Sequence, residues 1–247
     1  MPGDILLSAD GLSHRYLDRY PALDSVSVEV REGESLALLG ANGSGKSTLL
    51  KVLAGLVFCR AGSFEAFGEQ VNEETLADHA ANARFRSRVG LVFQDPAAQL
   101  FSASVSEDLQ FGCRQLGLDR TETTRRVADV AGMLGIVDLL DRSPAHLSLG
   151  QQKRAAIGTV LVMSPQVLLF DEPTAALDPR TTAWLVGLLT RLRASGRTLV
   201  IATHDLGLAA ALSDRAIVLG EDHRVVAHAA TPLLLADQRV LTAANLI

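Results

Sequence analysis

The chain contains 247 residues, of which 48% are hydrophobic, and it carries a formal net charge of −5. This length and apolar content suit one large or two small globular units with a buried core. The Arg residues are scattered, and no apolar run reaches the ~18–20 residues of a membrane span, so we expect a soluble protein without a nucleic-acid partner.

The first part of the chain predicts strands, with a helix after the third. Short apolar or alternating segments between polar turns are typical of strands. The predicted strands are 5–12, 22–30, 36–39 and 89–93, and the predicted helix is 48–54. From about residue 97 to 163 the apolar spacing becomes helical, most clearly at 125–134 and 149–163.

After this helical stretch, strands alternate with helices. The predicted strands are 167–170, 198–203 and 216–219, and the predicted helices are 180–194 and 206–212. Such alternation predicts a parallel sheet with right-handed crossovers. The expected fold class is therefore α/β, with the helical stretch inserted into the α/β core. In the short tail after residue 219, only 225–228 and 232–236 hint at order.

A glycine-rich segment between a predicted strand and a predicted helix fills every place of the phosphate-loop pattern G-x-x-x-x-G-K-[ST]. It comprises Gly40, Ala41, Asn42, Gly43, Ser44, Gly45, Lys46, Ser47 and Thr48. Glycines let the backbone curl around an anion, and amides at a helix start point at phosphate oxygens. We expect Lys46 to reach the β- and γ-phosphates and the Ser47 hydroxyl to bind Mg²⁺.

Two adjacent acids, Asp171 and Glu172, follow the predicted strand 167–170. Ligands of open α/β sheets collect at the carboxyl ends of strands. Phosphoryl transfer to water needs one carboxylate for the Mg²⁺ shell and one group that orients or deprotonates the water. We therefore assign Asp171 to the metal and Glu172 to the water.

Residues 147–154, Leu-Ser-Leu-Gly-Gln-Gln-Lys-Arg, open a predicted helix. Ser148 and Gln151 have the spacing of a capping box, which is worth about 1 kcal/mol without any ligand. Gly150 does not fit that explanation, because glycine in a helix costs stability. A helix start whose backbone approaches an anion would account for both features.

This segment closely resembles the LSGGQ signature of ATP-binding-cassette (ABC) ATPases, with Leu149 where the first glycine of the pair is usual. Other motifs of that family follow in order along nearly the whole chain. Gln94 resembles the Q-loop glutamine, which contacts Mg²⁺ and the attacking water. Residues 175–178, ending in Asp178, resemble the D-loop, and Asp178 before Pro179 also predicts a helix N-cap.

Two further positions complete the resemblance. His204 matches the H-loop histidine that contacts the γ-phosphate. Tyr16 resembles the A-loop aromatic residue that stacks on adenine, although Tyr20 or His14 could take that role if the register shifts.

The resemblance implies a P-loop NTPase (RecA-like) core with a mixed, mainly parallel sheet, an antiparallel β subdomain and an inserted α-helical signature subdomain. The implied layout is a core of 1–93 and 164–220, a helical subdomain of 94–163, and a tail of 221–247. It implies ATP and Mg²⁺ as ligands, with Ser47, Gln94 and Asp171 at the metal. It also implies two ATP sites shared between two subunits, each site facing signature and D-loop residues of the other chain, namely Ser148, Gly150, Gln151 and Asp178.

Residues 92–101 and 105–112 further resemble the Q-loop region of energy-coupling-factor (ECF) importers, as does the segment 16–27. In that group, two ATPase subunits lie under a transmembrane coupling protein, beside a membrane subunit that captures the substrate. The implied location is the cytoplasmic face of the cell membrane, which agrees with the free thiols that we expect for the isolated Cys59 and Cys113. Leu100 and Phe101 could face the coupling protein or belong to the helical core.

The residues alone do not identify the transported substrate. The overall resemblance favours a cobalt importer, with nickel, biotin and other vitamins as alternatives. We expect the ATPase pair to be a homodimer, and the residues leave a heterodimer open. His223 and His228 lie in no cluster with metal-ligand spacing. A single phosphate loop in 247 residues argues against cassette ATPases of translation or chromosomes. The signature and His204 argue against a small-molecule kinase, and Glu172 argues against a binding-only module.

Overall fold

Two β-sheets organise the chain in the computed structural model, which describes residues 3–247. The strands of this range are β1 (Ile5–Tyr16), β2 (Tyr20–Arg31), β3 (Ser35–Leu39), β4 (Ala61–Ala66), β5 (Glu69–Gln70), β6 (Val89–Val92), β7 (Val167–Asp171), β8 (Thr198–Thr203), β9 (Arg215–Leu219) and β10 (Val225–Ala230). The smaller sheet is antiparallel, in the order β2-β1-β4-β5. The larger sheet has the order β10-β9-β3-β8-β7-β6, and only the edge strand β10 runs antiparallel to its neighbour.

Helices follow the strands of the larger sheet and fill the insertion between β6 and β7. Within residues 3–247 they are α1 (Lys46–Leu53), α2 (Glu73–Ala77), α3 (His79–Arg88), α4 (Val105–Gln115), α5 (Arg120–Leu134), α6 (Leu149–Leu161), α7 (Pro179–Ala194), α8 (Leu206–Leu212), α9 (Thr231–Ala236) and α10 (Gln238–Ala243). None of these helices is both long and apolar enough to cross a bilayer.

The predicted α/β class, with its mixed sheet, antiparallel sheet and inserted helices, is confirmed. Every residue of β3, β7 and β8 is buried, as continuous apolar runs predict for a parallel sheet covered on both faces. Successive side chains point to opposite faces. Leu169 packs with α1 and the smaller sheet, whereas Leu168 and Phe170 pack with α7 and the inserted helices.

Several elements between residues 55 and 90 were not identified from the sequence. Strands β4 and β5 are short, and three of the six residues of β4 are exposed in a row. Helix α3 buries only Phe85, so it lacks the apolar stripe by which a helix is recognised. In the tail, the two ordered segments exist as β10 and α9, and α10 follows them unpredicted.

The insertion is a layer of three helices, α4, α5 and α6, that pack on one another and share one apolar core with α7. The Arg154 guanidinium of α6 lies 4.2 Å from the ring centroid of Trp184 on α7. This cation–π contact joins the three-helix layer to α7, which packs on the larger sheet. The subdomain boundaries at 93/94, 163/164 and 220/221 stay predictions.

Candidate active site

The phosphate loop has the strand–loop–helix context that its sequence predicts, since it joins β3 to α1. Gly40 has φ +153° and Gly45 has φ +108°, conformations that residues with a Cβ rarely adopt. A Cβ on Gly40 would lie 2.6 Å from the Leu219 carbonyl oxygen, and one on Gly45 would collide with the Ala22 carbonyl. Both glycines are therefore required by the local packing as well as by the turn.

The first turn of α1 is left open for an acceptor. Its N-cap residue Gly45 provides no side-chain cap, whereas α6, α7 and α8 are capped by Ser148, Asp178 and Asp205. The amides at a helix start otherwise lack partners and carry a partial positive charge. The buried Ser44 hydroxyl in the same loop also has no partner within residues 3–247. These are the donors that a phosphate group needs.

The Lys46 ammonium is held inside this loop. It donates to the carbonyl oxygens of Gly40 at 2.8 Å and Ala41 at 3.1 Å. It also lies 3.4 Å from the Glu172 carboxylate, and both side chains are nearly fully buried. The Lys46 ammonium is therefore placed to bind an anion that the loop encloses.

Ser47 and Asp171 form a pair of hard oxygen ligands beside the loop. The Ser47 hydroxyl donates to Asp171 Oδ1 at 2.9 Å. Burial is the main cause that raises the pKa of Asp171, and the charge of Glu172 adds to it, while the Ser47 hydrogen bond opposes both. A cation next to this carboxylate would offset its desolvation, so the donor set fits Mg²⁺, which takes one or two protein oxygens together with phosphate oxygens. No group of three or more His, Cys, Asp or Glu within residues 3–247 could hold a metal by itself.

Glu172 is fixed by three neighbours at the end of β8, namely Ala202, Thr203 and His204. His204 Nδ1 lies 3.0 and 3.1 Å from its two carboxylate oxygens, and the Thr203 hydroxyl donates to Oε2 at 3.3 Å. Its backbone N–H donates to Ala202, and its φ of +40° is rare for a residue with a side chain. Glu172, Lys46 and His204 thus form one connected cluster at the carboxyl ends of β7 and β8.

The side chain of Tyr16 lies beside α1 at the end of β1. Its hydroxyl is 3.4 Å from Thr48 Oγ1, and 39% of the residue is exposed. His14 packs edge-on against the Tyr16 ring, with centroids 4.8 Å apart. Tyr20 pairs with Tyr16 across the hairpin but is held under Arg19. Of the three aromatic candidates, Tyr16 has a hydroxyl within hydrogen-bonding distance of α1.

Gln94 follows β6 with its side chain exposed and its backbone tied to α6. Lys153 Nζ donates to the carbonyls of Phe93 at 3.0 Å and Gln94 at 2.8 Å. Burial lowers the pKa of Lys153 to about 8, against the opposing effects of Asp171 and Asp95. The sequence analysis did not identify Lys153. The signal was available, because only Lys46, Lys51 and Lys153 are lysines among the 23 Lys and Arg residues.

The signature residues lie at the start of α6, where both halves of the predicted capping box form. Gln151 N–H donates to Ser148 Oγ at 3.4 Å, and Ser148 N–H donates to Gln151 Oε1 at 2.9 Å. A Cβ on Gly150 would lie 2.9 Å from Thr181 Oγ1 on α7, so close packing within the chain also explains this glycine. The Thr181 hydroxyl donates to Asp178, which caps α7 as predicted.

Apart from Gln94, which follows β6 with its side chain exposed, the site residues predicted from the sequence fall into two groups. The phosphate loop, Asp171, Glu172, His204 and Tyr16 lie together around the start of α1. The capping hydrogen bonds of Ser148, Gln151 and Asp178 stay within α6 and α7, and none in the described range 3–247 joins them to the loop. The fold and the loop define a P-loop protein that binds a nucleoside triphosphate.

Comparison with known proteins identifies the family. Residues 23–175 match the family model of the ABC transporter, and the chain belongs to that family as an ATP-binding cassette ATPase. The chain is 44% identical to the cobalt import ATP-binding protein CbiO of Rhodobacter capsulatus, over 98% of this chain and 84% of the relative. It is also 44% identical to the nickel import ATP-binding protein NikO of that organism, over 92% and 90% of the two chains. It shares 40% identity with the energy-coupling factor transporter ATP-binding protein EcfA of Carboxydothermus hydrogenoformans, over 99% and 85%.

Solved structures agree with this family and with its ECF-type members. CbiO1 of Clostridium perfringens, part of the CbiONQ transporter complex, superposes with a TM-score of 0.82 at 36% identity, over 98% of this chain and 95% of that chain. A dimeric ATP-binding cassette in a post-hydrolysis state with ADP and phosphate also gives a TM-score of 0.82, at 27% identity, over 92% and 99%.

Proposed function

We propose that this chain is the ATP-hydrolysing subunit of an ECF-type importer that works as a homodimer on the cytoplasmic face of the cell membrane. The observation that carries the proposal is the Glu172 carboxylate, held between Lys46 and His204 at the mouth of the phosphate loop. This arrangement supplies a base next to a place for a triphosphate, which hydrolysis requires.

Each residue of the cluster has a role that its contacts support. Lys46 and the amides of residues 43–48 bind the β- and γ-phosphates. Glu172 accepts a proton from the attacking water, and His204 and Gln94 orient the γ-phosphate and that water. Ser47, Asp171 and Gln94 would hold Mg²⁺, which when bound neutralises charge on the phosphates.

The second half of each ATP site comes from the partner copy. The start of α6 is exposed and carries the partial positive charge of a helix N-terminus, and its capping hydrogen bonds within residues 3–247 do not reach the loop of its own chain. We propose that Ser148, Gly150 and Gln151 bind the γ-phosphate of the partner's nucleotide, with Asp178 next to them. ATP then links two subunits, and its hydrolysis releases them.

A cleft of about 570 Å³ between α3, β6, α4 and α6 is the proposed docking place of the transmembrane coupling protein. Phe101 is 69% exposed at its rim and packs edge-on against Phe111, whereas Leu100 is buried in the helical core. Asp108, also in the lining, is 2% exposed, and its Oδ2 has no partner within residues 3–247. An apolar rim around a buried carboxylate with one unpaired oxygen suits a helix that brings a hydrogen-bond donor.

The proposed cargo is cobalt ion, captured by a separate membrane subunit. Nickel is the alternative that the relatives favour equally, because the cobalt and nickel import proteins are both 44% identical to this chain. Biotin and other vitamins remain alternatives of the same class. The ATPase contacts ATP and the coupling protein, so the membrane partners determine the cargo.

Purification of the tagged chain from native membranes in detergent tests the importer assignment. We expect integral membrane proteins to copurify, and the complex to hydrolyse ATP at least about tenfold faster per subunit than the isolated chain. The measurements are mass spectrometry of the partners and a phosphate-release assay. If no integral membrane protein copurifies with the chain, the importer assignment is contradicted.

The variant Asp108→Asn sharpens this test, since it keeps the shape and the acceptor for the amides of Phe101 and Ser102. It should leave the isolated chain's turnover unchanged and reduce the stimulation by the membrane partners at least about fivefold, because a buried donor then faces an amide NH₂. Asp138→Asn, at an exposed position outside the cleft, is the control.

Removal of the Tyr16 ring should weaken ATP binding. Stacking of a base on an aromatic ring is worth about 1–3 kcal/mol, so Tyr16→Ala should raise the Kd for ATP by roughly 5- to 150-fold. Tyr16→Phe should bind within about threefold of the natural chain, because the ring remains. Calorimetric titration with ATP and with inorganic triphosphate separates base from phosphate recognition. If Tyr16→Ala lost the same affinity for ATP and for inorganic triphosphate, Tyr16 would not be the adenine contact. The same would follow if Tyr20→Ala lost more affinity for ATP than Tyr16→Ala.

A further inference from the structure

Lys153 is a buried charge that the proposed mechanism does not use. It lies on α6, five residues after Ser148, and it is 1% exposed. Removing an ammonium group from water costs several kcal/mol unless hydrogen bonds compensate, so a buried lysine in a helix core requires a reason. A methionine would fill the same volume without that cost.

Both hydrogen bonds of Lys153 go to the backbone of the Gln94 segment. Its Nζ donates to the carbonyl oxygens of Phe93 at 3.0 Å and Gln94 at 2.8 Å. Hydrogen bonds from a charged donor are worth more than neutral ones, and these two hold consecutive peptide groups. The backbone on which the Gln94 side chain is mounted is thereby fixed to α6.

Gln99 fixes the same backbone to α6 from the other side. Its Oε1 accepts from the Phe93 N–H at 3.2 Å. Its Nε2 donates at 2.7 Å to the Ala156 carbonyl and at 2.7 Å to Thr159 Oγ1, both on α6. The N–H of Phe93 and the carbonyls of Phe93 and Gln94 therefore all bind side chains that belong to α6 or are attached to it.

We infer that Lys153 is a positioning residue that moves Gln94 together with helix α6. The inference rests on the proposed function, in which the start of α6 contacts the partner's nucleotide and Gln94 serves the nucleotide of its own chain. Because one rigid helix carries Ser148 at its tip and Lys153 in its middle, a shift of the tip displaces Gln94. Lys153 thus connects the two ATP sites of the pair, and it acts on the reaction through Gln94 and not on the phosphates.

A purely structural role predicts a different behaviour from a positioning role. If Lys153 only filled space, Lys153→Met would leave turnover unchanged and would keep or raise Tm. If it positions Gln94, the same variant lowers kcat while Tm and the Kd for ATP stay the same. The phosphate loop, Asp171 and Tyr16 do not depend on these hydrogen bonds for ATP binding.

The test is a double-mutant cycle of Lys153→Met and Gln94→Ala in the full-length chain with Mg-ATP. We expect Lys153→Met alone to lower kcat at least tenfold, with the Kd for ATP and Tm within error of the natural chain. In the Gln94→Ala background the same substitution should change kcat by less than twofold, because the group that it positions is already gone. Gln99→Met should act in the same direction as Lys153→Met, and it carries the test if Lys153→Met does not fold. Arg191→Met, at an exposed cation of α7, is the control and should leave kcat unchanged.

Two results would overturn the inference. The first is an unchanged kcat in both Lys153→Met and Gln99→Met, and the second is an equal loss with and without Gln94. Either result leaves the proposed function intact, provided that Gln94→Ala itself lowers turnover. A Gln94→Ala chain with natural turnover would instead contradict the proposed role of Gln94, and the inference would fall with it.

Discussion

Glu172→Gln should lower the turnover of ATP by at least about 100-fold while the Kd for ATP changes by less than about threefold. The substitution removes the base and keeps the side-chain shape, and a positioned general base contributes about 10²–10⁴-fold to a rate. The amide can still contact His204 and Thr203 on the neighbouring strand, so the site stays assembled. A phosphate-release assay gives the rate, and ATP titration gives the affinity.

The same variant should accumulate as an ATP-linked dimer, because the nucleotide that joins the two copies is no longer cleaved. Size-exclusion chromatography with light scattering, with and without Mg-ATP, measures the fraction of dimer. The matched control adds Ser148→Arg to Glu172→Gln, which should abolish the dimer without affecting ATP binding to the loop of the same chain. A dimer that persists in this double variant would show that the signature does not contact the partner's nucleotide. Natural turnover in Glu172→Gln would refute the role of the base.

Lys46→Ala should weaken ATP binding by about 10- to 150-fold and abolish measurable hydrolysis. Hydrogen bonds to charged groups are worth about 1.5–3 kcal/mol, and Lys46 is the buried cation inside the loop. Arg191→Ala is the control, because Arg191 is an exposed cation of α7 outside the phosphate loop. Calorimetric titration with Mg-ATP and with ADP measures the effect. Equal losses of affinity in the two variants would mean that general charge, and not the position of Lys46, attracts the nucleotide.

The parts of the fold around the phosphates could be predicted because their physical constraints are local. Buried parallel strands read as continuous apolar runs, so β3, β7 and β8 were found within one or two residues. A loop that must wrap an anion demands glycine at fixed places, which made residues 40–48 recognisable. The adjacent acids, Asp171 and Glu172, stand at a strand end, where the topology alone brings them to the loop.

The missed elements lack such local constraints. Helix α3 is stabilised through Asp78 as its N-cap and through Arg86, which donates to the carbonyls of Ala54 and Gly55. The Asp78 cap is local, but no periodic apolar pattern follows it, and the Arg86 hydrogen bonds join parts of the chain that lie 31 and 32 residues apart. Lys153 is similar, since its two acceptors lie about 60 residues upstream on a different element. Its rarity as a lysine was visible, but its partners were not.

The contact between Gly150 and Thr181 has a consequence for how the chain can vary. Thr181 touches the tip of α6 on one side, and its hydroxyl donates to the Asp178 carboxylate on the other. The start of α6 and Asp178, which we expect to contact the partner subunit, are thus held together through Thr181. A residue larger than glycine at position 150 would push the start of α6 away from Thr181. A substitution of Thr181 would affect the positions of both Gly150 and Asp178.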